Sequence, residues 1–101
     1  MDNIAIELVP IATKLNAKGF KVIGGIYSKE SFICTLVFDN SVDMFELHKA
    51  LNLPQQETRT NDLCTSRDES WMLVRDENGR ITLTLGKERH LAVLVFILSQ
   101  S

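Results

Sequence analysis

Four apolar residues near the start of the chain recur at the spacing of an α-helix. They lie four, three and four positions apart and share one helical face: Ile4, Leu8, Ile11 and Leu15. A proline inside a helix removes a hydrogen bond and clashes with the preceding turn, so we expect the helix either to kink at Pro10 or to begin its regular part there. Gly19 is placed to end it as a C-terminal cap.

The next two segments, residues 20–28 and 31–40, are rich in Val, Ile, Phe and Tyr and predict the strands of a β-hairpin. Gly24 and Gly25 fall inside the first strand, where a pair of glycines indicates a β-bulge or a close backbone approach. Both faces of this hairpin are apolar. A strand pair that is buried on both sides needs cover on both sides.

A second amphipathic helix is predicted over residues 42–52, with Asn40 and Ser41 as capping residues and Pro54 beyond its end. From 54 to 70 the chain is polar and charged and follows neither a helical nor a strand period. We therefore expect a long polar loop over 54–70, and loops of that length in a compact domain are usually functional or disordered.

Asn78-Gly79 is the strongest short-range indicator of a two-residue hairpin turn, and it predicts that the segments on either side form a second hairpin. That turn pairs Val74 with Leu83 on the inner face of the sheet. It leaves Trp71 and Leu73 on the opposite face, where polar residues would be expected.

The segment from Leu91 to Leu98 contains no polar side chain. As a helix with Glu88 in its first turn it would be apolar on all sides, and as a fifth strand it would be apolar on both faces; the helix is favoured. It is the first candidate for covering the second face of the first hairpin. In either form it has a further apolar side, and we expect self-association through Leu94, Phe96 and Leu98.

The elements run α-β-β-α-β-β, followed by the apolar segment as α or β, and predict a single α+β domain over 1–101. We expect a mainly antiparallel four-stranded sheet, five-stranded if the last segment is a strand, with helices packed on one face. This order is similar to that of small secretion chaperones, a likeness of fold that does not by itself define a function.

Composition and charge narrow the classes of protein. The 101 residues are 45% apolar and 24% charged, as in ordinary globular chains, and the net charge of −2 does not attract the whole protein to nucleic acid or anionic lipid. The apolar segment is far shorter than the ~20 residues of a membrane-spanning helix. No export signal is visible, and Cys34 and Cys64 lack a CxxC spacing, so we expect free thiols and a cytoplasmic location.

No residue pattern predicts catalysis, a metal site or a cofactor. His48 and His90 have no carboxylate or Cys at ligand spacing, and nothing places a histidine beside Cys64, as nucleophilic catalysis would require. The Gly24-Gly25 pair lies within a strand and not at the helix N-terminus that a phosphate loop needs. We therefore expect a protein that is not an enzyme and needs no cofactor.

The inferred apolar surface exceeds what a two-layer fold of this size covers, and monomers rarely expose contiguous apolar patches beyond a few hundred Å². We therefore expect a protein that binds another protein, such as an inhibitor, a phage-encoded antagonist, an immunity protein or a chaperone, and that also forms a homodimer. The residues expected to contact the partner combine outward apolar side chains with nearby charges: Trp71, Leu73, Arg75, Arg59, Arg67 and Asp62. The alternative is a nucleic-acid-associated regulator that presents the loop and hairpin arginines.

Overall fold

A computed structural model describes residues 3–31, 33–54, 56–60, 62–68 and 70–100, with the backbone alone at 56–59 and 87. Within these residues the strands join in one antiparallel sheet of order β1-β2-β6-β5-β4-β3. The strands are β1 (Val22–Ser28), β2 (Ile33–Phe38), β3 (Gln56–Arg59), β4 (Leu63–Ser66), β5 (Trp71–Arg75) and β6 (Ile81–Gly86). The helices are α1 (Val9–Ala17), α2 (Met44–Ala50) and α3 (Lys87–Ser99). The predicted α+β class with a mainly antiparallel sheet is confirmed.

The helix α1 begins where the sequence allows a proline. Pro10 stands in its first turn, and a short 3₁₀ turn (Ile6–Leu8) leads into it, so the second of the two alternatives for this helix is confirmed. Gly19 ends it with a φ of +95°, and the backbone N–H of Phe20 donates to the carbonyl of Leu15 at 2.9 Å.

The helix α2 has a different cap from the one predicted. The Asp43 carboxylate accepts hydrogen bonds from the backbone N–H groups of Phe45 and Glu46, both at 2.9 Å. Asp43 is extended and directly precedes the helix, which is the position that a capping side chain needs. The assignment of Asn40 and Ser41 as caps is therefore wrong, and the Ser41 hydroxyl instead donates to Asp39.

The Gly24-Gly25 pair forms a β-bulge and also allows the backbone to approach the core closely. The register of β1 on β2 shifts between Val22 and Gly24, which is the predicted bulge, and it places Val22 in the core. A Cβ on Gly25 would lie 3.0 Å from Leu8 Cδ1, so the backbone approaches the core as closely as glycine allows.

Residues 54–70 are not one long loop, and that prediction is wrong. β3 and β4 pair with each other, and β4 adds to the edge of β5. At the end of this strand pair, the backbone N–H of Thr60 donates to the carbonyl of Leu63 at 2.7 Å. These strands escape a hydrophobicity analysis because each has only four residues and little apolar content.

The β5–β6 hairpin turns through three residues, not two. Asp76 and Arg80 close it, the Asp76 side chain accepts from the N–H groups of Asn78 and Arg80, and Gly79 takes a φ of +81°. A left-handed glycine at the last loop position is typical of three-residue hairpin loops. The extra residue pairs Leu73 with Leu83. The predicted register is therefore wrong by one residue, which exchanges the two faces of β5.

The apolar segment after β6 is the helix α3, the favoured alternative. Val93 and Ile97 are buried in the same core as α1 and the inner face of the sheet, and α3 packs against α1. The segment therefore does not cover the second face of the first hairpin. The prediction that it would do so is wrong. The prediction that helices pack on one face of the sheet is confirmed.

We predict that Trp71→Ala lowers the free energy of unfolding by about 3–5 kcal/mol, because it empties a large site in a packed core. The adjacent change Met72→Ala, on the other face of the same strand, should cost under about 1 kcal/mol. Urea unfolding followed by circular dichroism measures both. Equal losses for the two variants would contradict the register described above.

Candidate functional site

Trp71 and Leu73, the expected centre of a partner-binding surface, are core residues. Their exposed fractions are 1% and 0%. The Trp71 backbone N–H donates to the Ser66 hydroxyl at 3.3 Å, and its side-chain ring lies 5.0 Å, centroid to centroid, from the ring of His48. The placement of these two residues on an outer face is wrong, because the three-residue turn reverses the faces of β5.

The opposite side of the sheet carries none of the described helices, and we call it the open face. Its side chains alternate with the buried ones along β1, β2, β4, β5 and β6. They are Gly24, Ile26, Ser28, Ile33, Thr35, Val37, Leu63, Thr65, Met72, Val74, Thr82 and Thr84. None of them is charged. Ile26 is 70% exposed, and Ile33 and Met72 are also exposed.

A second apolar surface lies on α3. Leu91, Val95 and Leu98 are exposed by 53%, 69% and 52%, and we call them the α3 stripe. Of the residues expected to mediate self-association, Leu98 belongs to this stripe, while Leu94 and Phe96 pack partly against the core. The signal that the sequence offered was the four-and-three spacing of the stripe, which repeats the spacing that marks a buried helix face.

Two of the expected arginines have described side chains, Arg67 and Arg75, and these two do not meet in one patch. Arg75 lies at one end of the sheet, half-buried, and its guanidinium donates to the carbonyl of Gly79 at 2.8 Å. Arg67 is exposed just beyond Ser66, at the other end. Asp62 is exposed beside Arg75, and its carbonyl accepts from the Arg75 backbone N–H. The side chain of Arg59 lies outside the described residues.

The histidines and cysteines lie apart from both surfaces. His48 contacts the ring of Trp71, and His90 contacts the ring of Tyr27 at a centroid distance of 5.3 Å. Cys34 and Cys64 are buried thiols, and burial raises the pKa of Cys34 to about 12. Within the described ranges, no three His, Cys, Asp or Glu side chains cluster so as to hold a metal ion.

Comparison with known proteins finds no matching family model, no similar curated protein and no similar solved structure. Among the described residues, no helix combines the length and the apolar character needed to cross a bilayer. The geometry of the two apolar surfaces is therefore the basis for inferring a function.

We predict that both cysteines react with a thiol reagent only after unfolding, because both are buried and the Cys34 thiol is protonated at neutral pH. Labelling in buffer and in urea, counted by mass spectrometry, measures this. Fast modification of Cys64 in the native protein would instead favour a reactive thiol at that position.

We predict that acidification below about pH 6.5, the pKa of an unperturbed histidine, destabilises the fold through His90. Burial lowers the pKa of His90 in the folded chain, so the unfolded chain binds this proton at a higher pH and stability falls as pH decreases towards the folded pKa. The expected slope is at most about 1.4 kcal/mol per pH unit. Urea midpoints measured between pH 7.5 and pH 5 for the native chain and for His90→Phe test this. The native chain should lose stability over this range, and the variant should lack that loss.

Proposed function

We propose that this is a small cytoplasmic protein that acts by binding another protein and occluding part of its surface, as inhibitors, antagonists, immunity proteins and chaperones do. The α3 stripe is the observation that supports this proposal most directly. It presents apolar side chains to solvent on a helix whose other side is already packed in the core.

The buried face of α3 accounts for only half of its apolar residues. Four of its eight apolar residues pack wholly or partly in the core, Val93, Leu94, Phe96 and Ile97, whereas Ala92 and the α3 stripe are exposed. A fully buried Leu or Val side chain contributes roughly 1.5–3 kcal/mol, so covering the half-exposed stripe would yield roughly 2–4 kcal/mol. A partner that covers the stripe would recover that free energy.

The spacing of the stripe favours one mode of recognition. Positions i, i+4 and i+7 of a helix form a single line of anchors, and such a line binds by insertion into an apolar groove. From Leu91 to Ser99 the helix has no charged residue, while Glu88 and Arg89 stand at its start. The partner should therefore offer an apolar groove with a polar end where the first turn of α3 lies.

The alternative function, nucleic-acid binding, gains no support from the geometry. Among the described side chains, Arg67 and Arg75 stand at opposite ends of the sheet, and exposed carboxylates such as Asp62 and Asp76 lie near Arg75. A nucleic-acid surface needs a continuous basic patch that neutralises successive phosphates. Recognition of a protein remains the better-supported proposal.

We predict that a photo-crosslinking amino acid in place of Val95 captures one discrete partner protein in the cells that make this chain. The same amino acid in place of Thr13, which is exposed on α1, should capture none. Adducts are identified by mass spectrometry of the purified crosslinked species. The yield should fall by at least about tenfold when Leu91→Glu is added, because a charge at one of the three apolar anchors would be buried without a partner.

Adding Thr13→Glu to the Val95 crosslinker should leave the adduct unchanged, since Thr13 lies outside the α3 stripe. Equal adducts at both positions would mean that contact at the stripe is non-specific. Adducts formed only with further copies of this chain would contradict the proposal that the stripe binds a different protein.

A further inference from the structure

The open face of the sheet is the larger apolar surface, and we propose that a second copy of this chain covers it. Two sheets would then pack face to face about a two-fold axis. This inference goes beyond the proposed function, because it assigns the open face to self-association and leaves the α3 stripe for the other protein.

The open face has the shape that sheet packing requires. One row of directly paired residues crosses five strands: Ile26, Thr35, Thr84, Met72 and Thr65. The next row contains Gly24, Val37, Thr82, Val74 and Leu63. Most of these side chains are short or β-branched and stand at similar heights, so a second sheet can lie about 10 Å away, as in β-sandwiches.

The charge distribution of the open face is compatible with contact between identical surfaces. A two-fold axis brings each patch against its own copy, so any charge near the axis would meet a like charge. Among the described side chains the open face carries no charge, and along β1, β2, β4, β5 and β6 the charged residues begin where these strands end. Asp39, Asp76 and Arg80 stand at one end of the sheet and Arg67 at the other. A neutral centre with a charged rim is the usual composition of a protein interface.

The area of the open face reaches what a dimer needs. Five strands about 4.8 Å apart, with roughly five residues each at about 3.3 Å, give a plane of about 400 Å². Projecting side chains enlarge this area, so two copies would bury roughly 1,000 Å² in total, which is the lower limit for a specific interface. The α3 stripe has only Leu91, Val95 and Leu98 to bury, so the open face is the better site for a dimer.

The test is the mass of the purified chain by sedimentation across a dilution series. The native chain should form a dimer that dissociates on dilution. Thr84 lies on β6 at the centre of the sheet, and the two-fold axis would place it near its own copy. Thr84→Lys should therefore raise the dissociation constant roughly 100-fold, since like charges would meet in a buried interface. Thr35→Lys, on the neighbouring strand, should act in the same direction.

Mixing two opposite variants distinguishes a lost interface from a lost fold. Thr84→Lys and Thr84→Glu should each be monomeric, and an equimolar mixture should recover a dimer, because the lysine of one copy would then face the glutamate of the other. Recovery requires that both variants fold. Thr13→Lys and Val95→Lys, which lie outside the open face, should dimerise like the native chain.

Three results of the sedimentation test would overturn the inference. They are a native chain that stays monomeric at every concentration, a folded Thr84→Lys variant that still dimerises, and a dimer that Val95→Lys abolishes. A photo-crosslinker at Met72 that captures a different protein would also overturn it, while the proposal of a protein-binding role would stand. Failure of crosslinking at Val95 would instead count against that role and leave the dimer unaffected.

Discussion

The register of the β5–β6 hairpin is the constraint on which the arrangement of the other elements depends. Asp76 accepts two backbone hydrogen bonds across the turn, and Gly79 supplies the left-handed residue that a three-residue loop requires. Because side chains alternate along a strand, this one extra residue selects Trp71 and Leu73 for the core and Met72 for the outside. A two-residue turn would have exchanged the two faces of β5 and left those of β6 unchanged.

The buried Trp71 explains why the helices gather on one side of the sheet. With Trp71, Leu73, Leu83 and Leu85 all on the inner face, that face carries the largest apolar area. α1, α2 and α3 supply buried residues to this core, and within the described chain no helix remains for the other side. The uncovered face of the sheet is therefore a consequence of this register.

Sequence periodicity identified three helices and the four longer strands, because each has enough apolar residues to show its period. It missed β3 and β4, whose stability comes from pairing with β5 and not from their own apolar content. It also read Asn78-Gly79 as the whole turn, because the role of Asp76 depends on hydrogen bonds that no periodicity reveals. The partner-binding residues predicted on β5 were wrong by one position for the same reason, because the register error exchanged the two faces of that strand.

With the register corrected, the structure still exposes a surplus of apolar surface, although the exposed residues differ from those predicted. In a face-to-face dimer, each sheet would cover the other, and the helical layers would lie on the two outer sides. The α3 stripe of each copy would then face away from its counterpart, so the assembly would present two equivalent binding lines in opposite directions. Two lines that point apart cannot bind within one groove, so each dimer would engage two separate partner molecules. Dimerisation would therefore not compete with partner binding, and the partner's affinity would depend on the stripe alone.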